Sequence, residues 1–456
     1  MLERIFKLSE FKTDAKTEII AGLTTFMTMA YIIMVNPMIL SNTGMDPAAV
    51  LFATCVAAGL ITIFMGLFVN FPIALAPGMG LNAYFAVIAA KNGGIMSWEV
   101  ALGAVFISGI IFIILTVTKF RQLLVVAVPD SLKKAITVGI GLFISIIGFK
   151  LSGLTIVKLG LIPPTLDTLN KAGGVGTPLS FEWNIFLGKI TSPEPLLALI
   201  GLAIIAILMA RRVKGALLIG ILLTTIIGIP MGVTPINGFV YEFPKFAGLA
   251  VGKLDLAGAV NFGLLSVILT FTFVELFDTF GTLVGTAGRA GLLDEKGNSP
   301  RIGKAMLVDA FGVSFGALMG TSTVTAYIES AAGVAEGGRT GLTAVTTGIL
   351  FLLALVLAPF AKLIPSSATA PALIIVGLLM ASTIVKIDFN DFTEGLPAFL
   401  TIILMPFTYN IANGISGGIV FYTLTKVVTG RAKEIHWLMW LLSVLVLARY
   451  IFIAGE

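Results

Sequence analysis

Acidic side chains inside apolar helices cost about 3 kcal/mol each at the centre of a membrane and are usually kept for function. The few in this sequence are therefore where chemistry is to be sought. Glu275 and Asp278 lie in the run Phe271-Thr272-Phe273-Val274-Glu275-Leu276-Phe277-Asp278-Thr279-Phe280-Gly281-Thr282-Leu283. Their i, i+3 spacing puts both carboxyls on one helical face. Thr279 and Thr282 extend that face into a polar stripe. Glu329 follows a stretch of small residues, Gly320 to Tyr327. Three carboxyl groups thus converge on one inferred site, and carboxyls crowded together hold protons near neutral pH. That is the chemistry of a proton carrier. The alternative for each acid is structural, pairing with a cation or satisfying backbone; Asp278 has the further alternative of bracing Thr282 or a helix break. Asp309 reads as structural, capping or contacting a Ser or Thr. Asn82 can turn a donor and an acceptor inward, which suits the edge of a planar ligand, with backbone bracing as the alternative; Asn36 is a second amide in an apolar segment. Phe85, Phe271 and Phe273 have the shape to stack on such a ligand but read first as packing.

Other chemistries find no support. No G-x-x-x-x-G-K-[ST], H-E-x-x-H, G-x-S-x-G or haem motif occurs, nor the G-x-G-D pattern of an intramembrane aspartyl protease. The single cysteine, Cys55, rules out an internal disulfide, and the single histidine, His436, makes no triad or metal site alone. The expectation is a chain that is not an enzyme and uses no metal or cofactor.

The elements that must position these residues are membrane helices. Hydrophobic residues make up 57% of 456 and charged ones 12%, against about 25% charged in a soluble domain. Apolar runs long enough to cross about 30 Å of hydrocarbon recur along the chain. They place fourteen segments at 17–40, 48–70, 75–91, 98–118, 131–149, 195–210, 214–230, 259–287, 303–319, 321–336, 342–363, 369–385, 395–411 and 413–429. With the N-terminus inside, the cytoplasmic stretches hold 20 Lys and Arg and the outer ones 8, leaving Arg449 unassigned; this asymmetry is the positive-inside pattern. The net charge of +5 therefore reads as orientation and not as nucleic-acid binding. No cleavable signal peptide is apparent. Two long outer loops, 150–194 and 231–258, read as irregular Gly/Pro-rich caps. The run 436–453, with Trp437, Trp440 and Tyr450, reads as an interfacial helix, a fifteenth span being the alternative.

The two halves echo each other. Ala76-Pro77-Gly78-Met79-Gly80-Leu81-Asn82-Ala83-Tyr84 and Gly320-Thr321-Ser322-Thr323-Val324-Thr325-Ala326-Tyr327 each run from small residues into Ala-Tyr, with the tyrosines 243 residues apart. Seven spans per half is odd, so the halves enter from opposite sides, as an inverted repeat. Short segments interrupted by Gly and Pro at matching positions imply discontinuous helices, tolerated where they line a cavity. Two half-helix N-termini would meet near the bilayer centre and make a site for a polar or anionic ligand. The alternative is that the glycines merely allow close packing.

Taken together, five stretches resemble the AzgA-type purine permeases, a branch of the nucleobase–cation symporter superfamily that includes the nucleobase–ascorbate transporters. They are Ala21–Ile32, Ala74–Ala83, Glu275–Leu283, Thr325–Ser330 and Gly337–Thr343, and the resemblance covers nearly the whole chain. It implies an all-α polytopic fold of fourteen segments in a seven-plus-seven inverted repeat, with short strands before the two half-helices. It implies a core domain of 17–118 and 259–363 and a gate domain of 131–230 and 369–429. By position, Glu275 matches the acid that binds the base and Glu329 the acid of the tenth segment, with the Ile328 backbone beside it. Asn82 and Asp278 match polar positions of this branch. Proton coupling would fall to Glu275, Asp278 and Glu329. The implied activity is import of adenine, guanine or hypoxanthine through the cytoplasmic membrane, with H⁺ or Na⁺, by a carrier that is often a homodimer. The rivals are a carrier of the same fold for another nucleobase or a small anion, which three acids disfavour, and a cation channel.

Overall fold

The computed structural model describes residues 2–91, 94–118, 127–162, 180–236, 248–260, 265–292 and 300–452. In chain order its first elements are α1 (Leu2–Phe6), α2 (Ala15–Met29), α3 (Ile32–Ser41), α4 (Pro47–Phe64), β1 (Leu75–Pro77), α5 (Met79–Ile88), α6 (Trp98–Val117) and α7 (Asp130–Leu151). The hairpin β2 (Thr155–Ile162) and β3 (Ser180–Leu187) follows, then α8 (Pro193–Ala210), α9 (Ala216–Gly228) and α10 (Leu256–Ala259). The second half holds α11 (Leu265–Arg289), α12 (Pro300–Met319), β4 (Val324–Ala326), α13 (Ser330–Ala335) and α14 (Gly341–Leu353). It ends with α15 (Ser366–Ala381), α16 (Phe392–Phe407), α17 (Ile411–Val428) and α18 (Trp437–Phe452).

Among the described residues eight helical stretches are long and apolar enough to cross a membrane; α5, α9, α14, α16 and α18 are among the shorter apolar helices. The first predicted span is two helices, α2 and α3, broken at Ala30–Tyr31. No glycine stands at the break. The chain tightens there, Met34 N–H bonding the Tyr31 carbonyl at 3.0 Å, and Pro37 one turn on withholds an N–H from the ladder. Segments three and ten open as expected, with strand before half-helix: β1 before α5, β4 before the six-residue α13.

The strands pair antiparallel, Leu75 opposite Ala326, Ala76 opposite Thr325 and Pro77 opposite Val324. This pairing relates the halves by a two-fold and corrects the repeat register. Leu75 maps onto Val324, an offset of 249, so Gly78 corresponds to Tyr327 and Gly80 to Glu329. The matched tyrosines were a coincidence of spacing, since Tyr84 lies within a helix and Tyr327 at the entrance to one. The long loop 150–194 is likewise less irregular than its composition suggests, because β2 and β3 form a ladder from Thr155–Leu187 to Ile162–Ser180. Its middle, residues 237–247, the basic residues Lys119, Arg121 and Lys296 that the sequence reading places on the inside, and 261–264 of the eighth segment fall outside the described residues.

Packing sorts the helices into two groups. Helices α2–α6 pack with α11–α14, and α7–α9 pack with α15–α17. The groups meet where α5 touches α7, α3 touches α15 and α11 touches α7 and α17. Helix α18 packs beside α17, antiparallel to it: Ser443 pairs with Thr423 at 2.6 Å, and Tyr450 Oη donates to Asn413 Oδ1 at 2.6 Å.

Candidate functional site

The strand crossing is held by its own backbone. Tyr327 N–H donates to the Ala74 carbonyl at 3.0 Å and Gly78 N–H to the Thr323 carbonyl at 2.9 Å. Ala74 N–H donates to Ser330 Oγ at 3.0 Å, and Tyr327 Oη to the Pro77 carbonyl at 2.5 Å. Six residues of extended chain, three from each strand, thus pair inside the protein, as a membrane interior requires of backbone polar groups. The chain then enters two half-helices whose leading N–H groups have no intrahelical partner. That of Ile328, just before α13, finds no backbone acceptor among the described residues.

Helix α11 carries the first acids to this crossing. Glu275 is 1% exposed. Its Oε1 accepts weakly from Thr279 Oγ1 at 3.3 Å, while Oε2 is buried with no hydrogen-bond partner among the described residues. Thr325 and Thr323 lie beside it, and the Thr323 hydroxyl is also buried and unpartnered. Asp278, one turn on, is half-buried, within electrostatic reach of Asp309 and Glu329. Glu329 is half-buried at the mouth of α13, and its Oε1 accepts from Tyr31 Oη at 2.9 Å. Ile328 beside it is exposed. The structure therefore brings Glu275, Asp278, Ile328 and Glu329 to one place. Among the described residues Glu275, Asp278 and Glu329 form no ion pair, and no group of His, Cys, Asp and Glu could hold a metal ion.

Asp309 of α12 is the keystone behind these acids. It accepts from Thr279 Oγ1 at 2.7 Å, from Thr325 Oγ1 at 3.2 Å and from Ala326 N–H at 2.8 Å. It ties α11, α12 and β4 together through Thr and backbone contacts, the structural use its type suggested. Asn82 also lies behind the site, fully buried. Its amide donates to Asn36 Oδ1 at 2.6 Å and its carbonyl accepts from the Ser322 hydroxyl. Asn36 in turn donates to Thr54 at 2.7 Å and Thr321 at 2.9 Å. In this arrangement Asn82 braces four segments and is turned away from an open ligand edge. Phe85 and Phe271 are buried, Phe271 packing on Tyr84 at 5.3 Å between ring centres. The Phe273 side chain lies outside the description.

Two residues were missed in the sequence. Tyr31 is one, and its only hint was a tyrosine far from either end of its span. The other is Glu18, fully buried in the first segment, which accepts from Arg339 N–H at 2.8 Å and Thr343 Oγ1 at 2.6 Å and so caps α14. It is as rare an acid in an apolar run as Glu275, and the same search finds it. From the other group of helices, Ile140 of α7 closes on Gly80 of α5, where a Cβ would come within 2.4 Å of its methyl.

Comparison with known proteins agrees with this architecture. A model described as "Permease family" matches residues 16–181 and 152–417. The chain is 44% identical to the adenine permease AdeP of Escherichia coli (strain K12), across 99% of this chain and 96% of that protein. It is 42% identical to the guanine/hypoxanthine permease PbuG of Bacillus subtilis (strain 168), across 99% and 100%. Among solved structures, the transmembrane domain of the cyanobacterial bicarbonate transporter BicA superposes with a TM-score of 0.61, covering 88% of this chain and 97% of that one at 16% identity. That likeness concerns the fold, a seven-plus-seven inverted repeat of membrane helices, and extends to neither substrate nor site.

Proposed function

The chain belongs to the permease family whose members include adenine and guanine/hypoxanthine permeases, and on that premise we propose that it imports purine nucleobases across the cytoplasmic membrane by proton symport. The observation that carries the reading is one carboxyl oxygen of Glu275, buried with no hydrogen-bond partner among the described residues at the crossing of the two half-helices. A buried acceptor left unpaired costs about 1–3 kcal/mol, and a ring N–H or a proton relieves that cost. Glu275 takes the N–H edge of the purine. Glu329 takes a second edge, and the Ile328 N–H donates to a ring nitrogen or carbonyl oxygen. With four carboxyl groups gathered and, among the described residues, no cation paired to Glu275, Asp278 or Glu329, uptake of a proton at Glu275, Asp278 or Glu329 offsets their repulsion and couples the ion to the base. The same cluster disfavours an anionic substrate.

The cycle follows from the two packing groups. The core, 17–118 and 259–363, carries both half-helices and every acid of the site, and the gate, 131–230 and 369–429, moves against it. Their contact at Gly80 and Ile140 lies at the mouth of α5, so displacement there opens the site to one side of the membrane. The N-terminus is cytoplasmic, and the gate is the face available for a homodimer. The test is uptake of radiolabelled adenine, guanine, hypoxanthine and uracil in cells lacking their own nucleobase carriers, with and without a protonophore. Purine uptake that collapses with the protonophore is expected. Uptake that survives it but requires Na⁺ reassigns the ion, and uptake of uracil alone, or of nothing, overturns the reading.

A further inference from the structure

We propose that Tyr31 is a positioning residue for the substrate acid Glu329, fixing one carboxyl oxygen so that the other is the one offered to the purine. The inference rests on the functional reading above and adds to it a residue in the first segment. Tyr31 stands where α2 gives way to α3, and its ring is 1% exposed. At that point the backbone is committed to the turn, so the ring leaves the helix axis in a fixed direction, across to the mouth of α13. Its hydroxyl donates to Glu329 Oε1 at 2.9 Å. Glu329 precedes α13 and makes no side-chain cap to it. Among the described residues Tyr31 is the one side chain that donates a hydrogen bond to this carboxyl. Thr28, one turn earlier, reaches only the Glu329 carbonyl, at 3.5 Å, which is too long to orient the side chain.

A tyrosine suits this task better than a cation. A Lys or Arg would neutralise Glu329 permanently and compete with the substrate for it. A phenol orients the carboxyl with one neutral hydrogen bond and leaves its charge for the ligand and the proton. Because α2 and α3 belong to the same packing group as α13, the bond travels with the site through any movement of the gate.

The test is uptake kinetics of Tyr31→Phe, Glu329→Gln and the double variant beside the native chain, with the melting temperature of each purified protein. Phenylalanine keeps the ring and removes only the hydroxyl. The expected result is a KM for purine raised roughly tenfold or more, the range of one hydrogen bond to a charged group, with Vmax and melting temperature near native. In the Glu329→Gln background the second change should add nothing to the loss of purine binding, measured by ligand-induced thermal shift. An unchanged KM in Tyr31→Phe overturns the proposal, as does a lowered melting temperature with KM and Vmax falling together, which marks a packing role. If the native chain takes up no purine, the functional reading itself fails and the proposal with it; if it transports and Tyr31→Phe matches it, the proposal fails alone.

Discussion

At the scale of single residues, the division of labour among the acids makes separable predictions. Glu275→Gln and Glu329→Gln should each abolish purine uptake while the protein still inserts and purifies as a folded species, because both carboxyls are spent on few internal contacts. Asp309→Asn should do something different. Thr279, Thr325 and Ala326 all donate to that carboxylate, and an amide would turn its own NH₂ toward one of those donors. The expected cost is about 1–3 kcal/mol of stability, seen as a lower melting temperature even without ligand. The acids were readable because charge in an apolar span is rare. Their ranking was readable only in part: Asp309 declared itself as a Thr partner, whereas Asn82 could have faced either way until the Asn36 and Ser322 contacts were known. Tyr31 was invisible for a physical reason, since a tyrosine in an apolar run carries no cost that demands an explanation.

At the scale of elements, close approach governs the packing. Gly341 at the start of α14 meets the Met65–Val69 turn of helix, where an added Cβ would lie 1.9 Å from the Gly66 carbonyl. Backbone there cannot yield, so Gly341→Ala should prevent recovery of folded protein by size exclusion, whereas Gly248→Ala, which meets nothing within 4 Å, should behave as native. The turn between α17 and α18 depends on charge. Arg431 donates to Asp391 at 2.7 Å and to Glu434 at 2.8 Å. With Arg431 and then Lys426 as donors, Glu434 is lowered to about 2 from its ordinary 4.5, and Asp391 is held well below the usual carboxylate range by Arg431 and Thr393. Both shifts are downward, so the stabilisation is complete above the ordinary value and is lost as pH falls through the lowered one. Melting temperature should therefore drop between about pH 4 and pH 2, and drop less in Arg431→Gln. Helix breaks at Pro77 and Gly320 could be read in advance because Gly and Pro punctuate the chain. The β2–β3 hairpin was missed although Thr-Ile-Val and Phe-Glu-Trp are strand-forming runs, because the Gly/Pro-rich surroundings outweighed them.

At the scale of the whole molecule, fourteen segments return the chain to the side on which it began, and α18 then decides where it ends. An interfacial helix lies across its neighbours and shows one polar face. Helix α18 instead follows α17 along its length, from Thr423–Ser443 to Asn413–Tyr450. The side it turns away from the protein is apolar as well, with Val444, Leu445 and Ile451 among its exposed residues. Sixteen residues span about 24 Å, short of the full hydrocarbon thickness but bracketed by Trp437 and Tyr450, types that anchor at interfaces. The packing thus favours a fifteenth crossing, with the two termini on opposite faces of the membrane. Single cysteines at Glu10 and Glu456 and a membrane-impermeant maleimide test this, Cys55 being buried. The expected outcome is labelling of one position in intact cells and of the other only after permeabilisation. If both positions label only after permeabilisation, the termini share a side and α18 does not cross, and its contacts with α17 then have to be explained within a single leaflet.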